Sequence, residues 1–157
     1  MRARRLTLAS RLATQPNSPV AGVGHSIGTT VLLALAGGRL WMRAADGPLP
    51  IVPCSRIDRL ALMAPATGFF QAPGALDGVQ TRVAVWAGGL DTITPPAHAE
   101  FLKYALDGRV PVELRTFEQA GHFSFMNVLP PHVTDPLPDR DAFLEHLQSE
   151  VCRFVTS

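Results

Sequence analysis

The chain has 157 residues, of which 46% are hydrophobic and 17% charged, and its formal net charge is +1. This composition argues against intrinsic disorder, and the near-neutral balance gives no electrostatic basis for binding nucleic acid. The longest apolar run, Thr29 to Ala36, is too short to cross a bilayer. Cys54 and Cys152 form neither a disulfide scaffold nor a metal-ligand pattern, and the sequence leaves open whether they are reduced or paired.

The N-terminal segment is basic, because six arginines and no acidic residue precede Asp46. Such a start is typical of a targeting peptide, but Arg11 interrupts the one apolar stretch that could form its core. Leu8 and Leu12 are spaced as on one face of a helix, so we predict a short surface helix over Arg2–Ala13. Because this segment does not fit a signal peptide, we also predict a cytoplasmic protein. The 13 arginines and single lysine indicate a GC-rich, bacterial genome.

After a proline-containing break at residues 15–19, the chain alternates between short apolar strands and helices. Strands are predicted at Val20–Val23, Ile57–Met63, Arg82–Ala87 and Val112–Phe117. Helices are predicted over residues 29–36, over residues 96–106 and after an Asp139 cap, where the apolar stripe consists of Phe143, Leu147, Val151 and Phe154. Near-continuous apolar strands predict burial on both faces, and therefore an α/β fold with a mostly parallel sheet flanked by helices.

The first strand-to-helix junction carries a G-x-S-x-G motif, Gly24-His25-Ser26-Ile27-Gly28. In this context the motif predicts a sharp, strained turn that lifts the serine hydroxyl above the sheet. We expect both glycines to be required, because a side chain at either position would clash with the neighbouring strand and helix. His25 is interpreted as scaffolding of this turn, and Ser26 as a candidate nucleophile.

A serine nucleophile needs a base to accept its proton and an acid to orient that base. Asp91 follows the strand that ends at Ala87, and His122 follows the strand that ends at Phe117. Both therefore lie at carboxyl ends of strands, the edge where α/β sheets bind ligands. The alternatives are a turn-capping aspartate at position 91, a packed surface histidine at position 122 and an ordinary turn serine at position 26.

Three segments, the motif at residues 24–28 and the blocks at residues 89–96 and 120–125, resemble the α/β-hydrolase superfamily. The last block, Ala-Gly-His-Phe-Ser-Phe, is similar to dienelactone-hydrolase-like and platelet-activating-factor-acetylhydrolase-like serine esterases. The resemblance implies an ester hydrolase without metal or organic cofactor. In it Ser26 is the nucleophile, Asp91 the acid, His122 the base, and the Ile27 N–H one oxyanion donor.

The resemblance covers residues 18–155, but only the second half of the family domain. Only 23 residues precede Gly24, whereas the family supplies a second oxyanion amide from further upstream. We therefore expect one N-terminally truncated domain over residues 1–157, with a helix and linker over about residues 1–17. An uncovered Val20–Val23 strand would be an apolar edge. The alternative function is thus a catalytically silent half-domain that binds or forms homo-oligomers.

Four phenylalanines near strand ends could form a substrate pocket or fill the core, and the sequence leaves both open: Phe69, Phe70, Phe123 and Phe125. His98, His132 and His146 show no ligand spacing and are interpreted as surface residues. A dinucleotide-binding loop is a further alternative, because Gly22, Gly24 and Gly28 approach that pattern with one residue too many and Asp46 follows. That reading leaves Asp91 and His122 unexplained.

Overall fold

The computed structural model describes residues 5–6, 20–43 and 47–157. Most of the predicted helix over Arg2–Ala13, the break at residues 15–19 and Asp46 lie outside the described residues. The described chain forms three layers, in which a parallel sheet separates two helices on one face from a third helix on the other. The predicted α/β class is confirmed.

All four predicted strands form and lie in the sheet in chain order: β1 (Val20–His25), β2 (Ile57–Met63), β3 (Arg82–Gly88) and β4 (Val112–Phe117). Neighbouring strands are parallel, so their carboxyl ends meet at one edge of the sheet. β1 is longer than predicted and continues through Gly24 and His25, which pair with the end of β2. The strand therefore delivers the polypeptide directly to Ser26.

Two helices cover one face of the sheet: α1 (Ile27–Leu35) and α2 (Ala97–Leu106). Because side chains alternate along a strand, β2 and β3 present one set of residues to this face and another to the opposite face. The α1 and α2 face packs the larger aliphatic side chains in one fully buried cluster, which includes Leu60, Leu62, Val83, Val85, Leu33 and Leu102. This core holds β2 and β3 rigidly behind the carboxyl edge.

The third helix, α3 (Arg140–Thr156), covers the opposite face. Its predicted cap is confirmed, since the Asp139 side chain accepts a hydrogen bond from the Ala142 N–H at 3.0 Å. The predicted apolar stripe also packs against this face. Within the interface the buried Glu150 carboxylate accepts a 2.7 Å hydrogen bond from Trp86 Nε1 and pairs with Arg115.

Burial on both faces holds for the central strands but not for the outer ones. β2 and β3 are almost wholly buried toward their carboxyl ends, whereas every position of β4 is half-buried or exposed. In β1, Val23 lies on the α3 side and is 51% exposed. The prediction of two-sided burial was wrong for β1 and β4. Each has only one strand neighbour among the described residues and therefore lies at an edge of the described sheet, where side chains are less covered than at its centre.

Two further features bear on the class of protein. In the described ranges no helix is both long and apolar enough to cross a membrane. Cys54 is half-buried, Cys152 is exposed, and both thiols are free.

Candidate active site

Ser26 occupies a strained turn between β1 and α1. Its backbone has φ 53° and ψ −124°, a conformation that a residue with a Cβ rarely adopts. Three hydrogen bonds hold this turn: the Ser26 N–H donates to the Met63 carbonyl at 3.0 Å, and the Ser26 carbonyl accepts from the Thr29 N–H at 3.0 Å and the Thr29 hydroxyl at 2.6 Å. Strain of this kind costs about 1–3 kcal/mol and is typical of functional positions.

The two motif glycines differ in what surrounds them. A Cβ on Gly24 would lie 2.7 Å from Cδ1 of Leu32 and 3.2 Å from the backbone of Gly28, so this glycine permits close packing of β1 on α1. A Cβ on Gly28 would meet no atom within 4 Å. The expectation that both glycines avoid a clash was therefore wrong for Gly28, because the first turn of α1 is open on that side.

The structure brings the three predicted site residues into one hydrogen-bonded chain. Ser26 Oγ lies 2.9 Å from Nε2 of His122, and Nδ1 of His122 lies 2.8 Å from Oδ2 of Asp91. A carboxylate only accepts, so Nδ1 of a neutral imidazole carries the proton and Nε2 accepts from the Ser26 hydroxyl. The arrangement joins loops that are 96 residues apart in sequence, at the carboxyl ends of β1, β3 and β4.

Asp91 is the most enclosed of the three, with its side chain fully buried. Its Oδ1 accepts the backbone N–H groups of Ile93 and Thr94, each at 2.8 Å, while Oδ2 faces His122. Burial raises the pKa of Asp91, but the hydrogen bonds from Thr94, His122 and Ile93 outweigh it and hold the pKa below its ordinary value. Asp91 is thus both the turn-capping aspartate of the alternative reading and the partner of His122.

Thr94 is a buried residue with no motif or spacing that would have marked it as part of the site. Its hydroxyl oxygen lies 2.8 Å from Oδ2 of Asp91, 3.1 Å from Nδ1 of His122 and 3.1 Å from the carbonyl of Ala64. The hydroxyl has one proton, and the nearer, charged carboxylate is the stronger acceptor. Thr94 therefore supports the Asp91–His122 pair from the side and connects it to the end of β2.

His25 links the serine turn to the loop that carries His122. Its Nε2 lies 2.8 Å from the carbonyl oxygen of His122, and the two imidazole rings are 4.8 Å apart. A carbonyl oxygen only accepts, so Nε2 of His25 carries a proton. Burial lowers the pKa of His25 below its ordinary value, despite the hydrogen bond to the His122 carbonyl and the nearby negative charge of Asp91. The scaffolding interpretation agrees with this contact.

The turn that carries His122 is a short 3-10 helix, His122–Phe125, which the sequence did not predict. Ser124 anchors it, because the Ser124 Oγ accepts from the Gly121 N–H at 2.9 Å and donates to Asp135 at 2.8 Å. Asp135 in turn pairs with Arg140 at 3.1 Å, and both side chains are largely buried. This network ties the His122 turn to the entry of α3.

Ile27 is the first residue of α1, directly after Ser26. The first N–H groups of a helix have no partner within the helix and point toward its N-terminal end, where negative charge is stabilised. The Ile27 N–H, the predicted oxyanion donor, therefore belongs to the first turn of α1 and follows Ser26 directly in the chain. The Ile27 side chain is 43% exposed, so this side of the site faces solvent.

The four predicted pocket phenylalanines lie in different environments. Phe70 is 1% exposed in the core under α1 and α2, and Phe69 packs against the same cluster. Phe125 is buried against α3. Phe123 is half-buried, stands edge-on to the His122 ring at 5.0 Å and lines a cavity beside it. Phe123 thus contacts one of the three predicted catalytic side chains, that of His122.

The other histidines lie apart from Ser26. His132 and His146 are exposed, as predicted, but His98 is half-buried and its Nδ1 accepts a 3.0 Å hydrogen bond from the Thr67 N–H. Among the residues that the structure describes, no group of three or more His, Cys, Asp and Glu side chains could hold a metal ion.

Comparison with known proteins gives similarity in structure rather than in sequence. No family model and no curated protein matches this chain. A protein of unknown function from Agrobacterium tumefaciens, described as an α/β hydrolase, is 16% identical and covers 88% of this chain with a TM-score of 0.59. Puromycin hydrolase is 13% identical and covers 98% with a TM-score of 0.61. Esterase 2 from Thermogutta terrifontis is 16% identical and covers 98% with a TM-score of 0.58.

All three of these proteins are much longer than this chain. The chain spans 52% of the Agrobacterium protein, 24% of puromycin hydrolase and 61% of the Thermogutta esterase. Identities this low show the fold alone. The described part of the chain therefore has the α/β-hydrolase fold.

Proposed function

We propose that this chain, with its α/β-hydrolase fold, is a serine hydrolase that cleaves carboxylic esters through an acyl-enzyme on Ser26. The observation that carries the proposal is the unbroken hydrogen-bond path from Ser26 Oγ through His122 to Asp91, with distances of 2.9 and 2.8 Å. The strained backbone of Ser26 supports it. The esterase among the structural neighbours agrees with this reading.

Acylation follows from the direction of these hydrogen bonds. Ser26 Oγ attacks the ester carbonyl carbon while its proton passes to Nε2 of His122, and the carbonyl electron pair moves to oxygen. The Ile27 N–H donates to that oxyanion, and the Asp91 carboxylate stabilises the imidazolium through Nδ1–H. When the intermediate collapses, the bond to the alcohol oxygen breaks and Nε2–H gives that oxygen its proton.

Deacylation repeats the same steps with water. His122 takes a proton from a water molecule, whose oxygen attacks the acyl carbon, and the same N–H donor holds the second oxyanion. Collapse breaks the bond to Ser26 Oγ, which regains a proton from Nε2, and the carboxylic acid leaves. The low pKa of Asp91 keeps its carboxylate charged throughout. The narrower likeness to dienelactone-hydrolase-like esterases remains a prediction from residues 120–125.

The proposal is tested with purified wild-type chain, Ser26→Ala and the exposed control Ser149→Ala. We expect wild type and the control to hydrolyse p-nitrophenyl acetate at the same rate and the Ser26→Ala rate to fall by at least about 10³-fold. A fluorophosphonate should add to wild type once, at Ser26, as measured by peptide mass. Equal hydrolysis by wild type and Ser26→Ala contradicts the proposal.

A second candidate function, binding or self-assembly through β1, is favoured by a specific observation. Within the described sheet β1 pairs only with β2, and its Val23 side chain is 51% exposed. An uncovered apolar edge strand is a template for pairing with another chain. Light scattering during size exclusion distinguishes this candidate: it requires a dimer or larger species in wild type that Val23→Glu dissociates. A concentration-independent monomer contradicts it.

A further inference from the structure

The candidate base extends from a single short helical turn, His122–Phe125. Its first and last backbone hydrogen bonds measure 3.3 and 3.1 Å, and they run from Ser124 N–H to the Gly121 carbonyl and from Met126 N–H to the Phe123 carbonyl. An isolated helical turn is unfavourable to form, since several backbone dihedrals are fixed for each hydrogen bond gained. The conformation of this turn, and with it the position of the His122 ring, therefore depends on contacts from outside the turn.

Ser124 makes such a contact from inside the turn to the segment before α3. It is 1% exposed, and its hydroxyl oxygen accepts a 2.9 Å hydrogen bond from the N–H of Gly121, the residue directly before His122. A carboxylate only accepts, so the single hydroxyl proton is donated to Oδ1 of Asp135 at 2.8 Å. The Ser124 hydroxyl thus fixes the backbone that enters His122 relative to Asp135.

Asp135 and Arg140 form the outer part of this contact. The Asp135 side chain is 5% exposed, its Oδ1 also accepts from the Leu137 N–H at 3.0 Å, and its Oδ2 accepts from Nε of Arg140 at 3.1 Å. Nη1 of Arg140 donates to the Asn127 carbonyl at 3.3 Å. The side chains of Ser124, Asp135 and Arg140, which we call the turn anchor, therefore hold the chain on both sides of the helical turn.

A buried ion pair of this kind is weak evidence for added stability. Taking a carboxylate and a guanidinium out of water costs free energy that their attraction often only offsets, and apolar side chains of similar volume are often as stable. Nη2 of Arg140 is enclosed as well, and it has no hydrogen-bond partner among the residues that the structure describes. Directional hydrogen bonds shielded from water do, however, make the segments that they join rigid.

Rigidity matters at this turn because the His122 ring has to keep two short contacts at once. In the proposed reaction Nε2 takes the proton of Ser26 Oγ, 2.9 Å away, while Nδ1 stays 2.8 Å from Oδ2 of Asp91. A shift of a catalytic group by about 1 Å can lower a rate by roughly 10²-fold. Asp91 orients the ring, whereas the turn anchor holds the backbone from which the ring extends.

We propose that Ser124, Asp135 and Arg140 are positioning residues for His122, and that they act through the hydrogen bond from Ser124 to Asp135. The proposal rests on the proposed esterase function and adds to it residues outside the Ser26–His122–Asp91 chain. Ser124 and Asp135 are buried, so they influence the reaction through the position of His122 and not by contact with the ester.

The test removes the Ser124 hydroxyl and compares the result with the loss of a buried hydroxyl elsewhere. Thr81 is 6% exposed and donates to the Ile57 carbonyl at 3.3 Å, at the opposite edge of the sheet, so Thr81→Val is the matched control. We expect Ser124→Ala to lower kcat for p-nitrophenyl acetate by about 10- to 100-fold with KM little changed. Thr81→Val should keep the wild-type kcat, although urea unfolding should show a loss of stability in both variants.

A double variant gives a readout that a purely structural role would not produce. Asp135→Asn keeps the shape of the side chain but removes its charge, and we expect kcat to fall as in Ser124→Ala. Because both residues act through one hydrogen bond, the double variant Ser124→Ala/Asp135→Asn should be no slower than the slower single variant. Arg140→Lys keeps a cation beside Asp135, so it should lose less kcat than Arg140→Met, which leaves that carboxylate unpaired.

The outcomes separate this proposal from the proposed function. Wild type that labels at Ser26 and hydrolyses esters, while Ser124→Ala keeps the kcat of Thr81→Val, overturns the positioning role and leaves the esterase standing. Losses of kcat that multiply in the double variant also overturn it. Wild type that neither labels nor hydrolyses any ester overturns the proposed function, and the positioning role with it. Thermal unfolding identifies a variant that fails to fold, and if Asp135→Asn does so, Ser124→Ala against Thr81→Val decides.

Discussion

The two ends of the Ser26–His122–Asp91 chain are built in opposite ways. At the Asp91 end the side chain is fully buried, and its two oxygens accept from four donors, two from backbone N–H groups, one from Thr94 and one from His122. At the Ser26 end the residue is half-buried, its backbone is strained, and the neighbouring Ile27 side chain is 43% exposed.

In the proposed reaction, this difference separates two requirements. A negative charge that stabilises an imidazolium acts most strongly where water is excluded and donors hold it in place. A nucleophile must instead remain reachable by substrate and water. The tightly packed β3 loop supplies the first environment and the β1–α1 turn supplies the second, with His122 between them.

The largest expected effect comes from removing the charge at the buried end. Asp91→Asn keeps the shape but loses the carboxylate, so Nδ1 of His122 no longer has an anionic acceptor and we expect kcat to fall by about 10⁴-fold. The kcat for p-nitrophenyl acetate measures this. Asp77→Asn, at an acidic side chain that is 71% exposed, is the control and should retain wild-type activity. A loss below tenfold would show that Asp91 only caps its turn.

The same substitution tests the lowered pKa of Asp91. A carboxyl whose folded pKa lies below its unfolded pKa adds stability at neutral pH, and this is lost as pH falls through the folded value. Wild type should therefore lose free energy of unfolding below about pH 4, and Asp91→Asn should lose less over the same range. Urea unfolding from pH 6 to 2 is the measurement, and parallel curves would contradict the prediction.

Removing the Thr94 hydroxyl should lower kcat less than removing the Asp91 charge. Thr94→Val is nearly isosteric but cannot donate to Asp91, and a hydrogen bond to a charged group is worth about 1.5–3 kcal/mol. We expect kcat to fall by about 10- to 100-fold with KM little changed. Thr94→Ser keeps the hydroxyl and should recover most of the rate. Equal losses in the two variants would assign Thr94 to packing rather than positioning.

The glycines of the turn offer a comparison by stability instead of rate. Gly24→Ala brings a methyl group to 2.7 Å from Leu32 and should cost about 1–3 kcal/mol of unfolding free energy. Gly28→Ala meets no atom within 4 Å and lies in α1, where alanine is favoured over glycine, so it should gain about 0.5–1 kcal/mol. Denaturant unfolding measures both. Destabilisation of the same size in both variants would contradict the asymmetry.

The smallest expected effect concerns His25, which directly precedes Ser26 and donates a hydrogen bond to the His122 carbonyl. Burial lowers the pKa of His25 in the folded protein, so as pH falls His25 is protonated in the unfolded chain before it is protonated in the folded one. Protonation then favours the unfolded chain, and the free energy of unfolding of wild type should fall from about pH 7 downward. His25→Gln retains an N–H donor toward the His122 carbonyl but cannot titrate, and its unfolding free energy should vary less between pH 7 and 5. The exposed His132→Gln is the control, and it should follow wild type.

The strands, the helices and the three candidate catalytic residues could be predicted from the sequence, because each depends on local signals. The bounds of β2 and β4 were predicted to the residue, and Asp139 was identified as a cap from its place before a helical pattern. Ser26, Asp91 and His122 were selected by their positions after strands. That they lie within hydrogen-bond distance of one another is a result of the sheet order, which brings three carboxyl ends to one edge.

Thr94 and Asp135 could not have been chosen in this way. Each is a common residue type in a loop, without motif or periodicity, and each gains its importance from a contact with the His122 turn: Thr94 contacts His122 itself, and Asp135 accepts a hydrogen bond from Ser124. The four phenylalanines show the same limit. All four lie near strand ends in the sequence, but only the folded structure shows that Phe123 lies beside His122 while Phe70 is buried in the core.

The sequence by itself determined the α/β class, the turn at Ser26 and the three residues that we propose as acid, base and nucleophile, since these follow from hydrophobic period, glycine placement and residue type. The tertiary structure alone decided how they are supported and what surrounds them: the dry setting of Asp91, the Thr94 and His25 contacts, and the cavity beside His122. Burial and cross-loop hydrogen bonds arise from the packing of distant segments, and no local pattern in the chain encodes that packing.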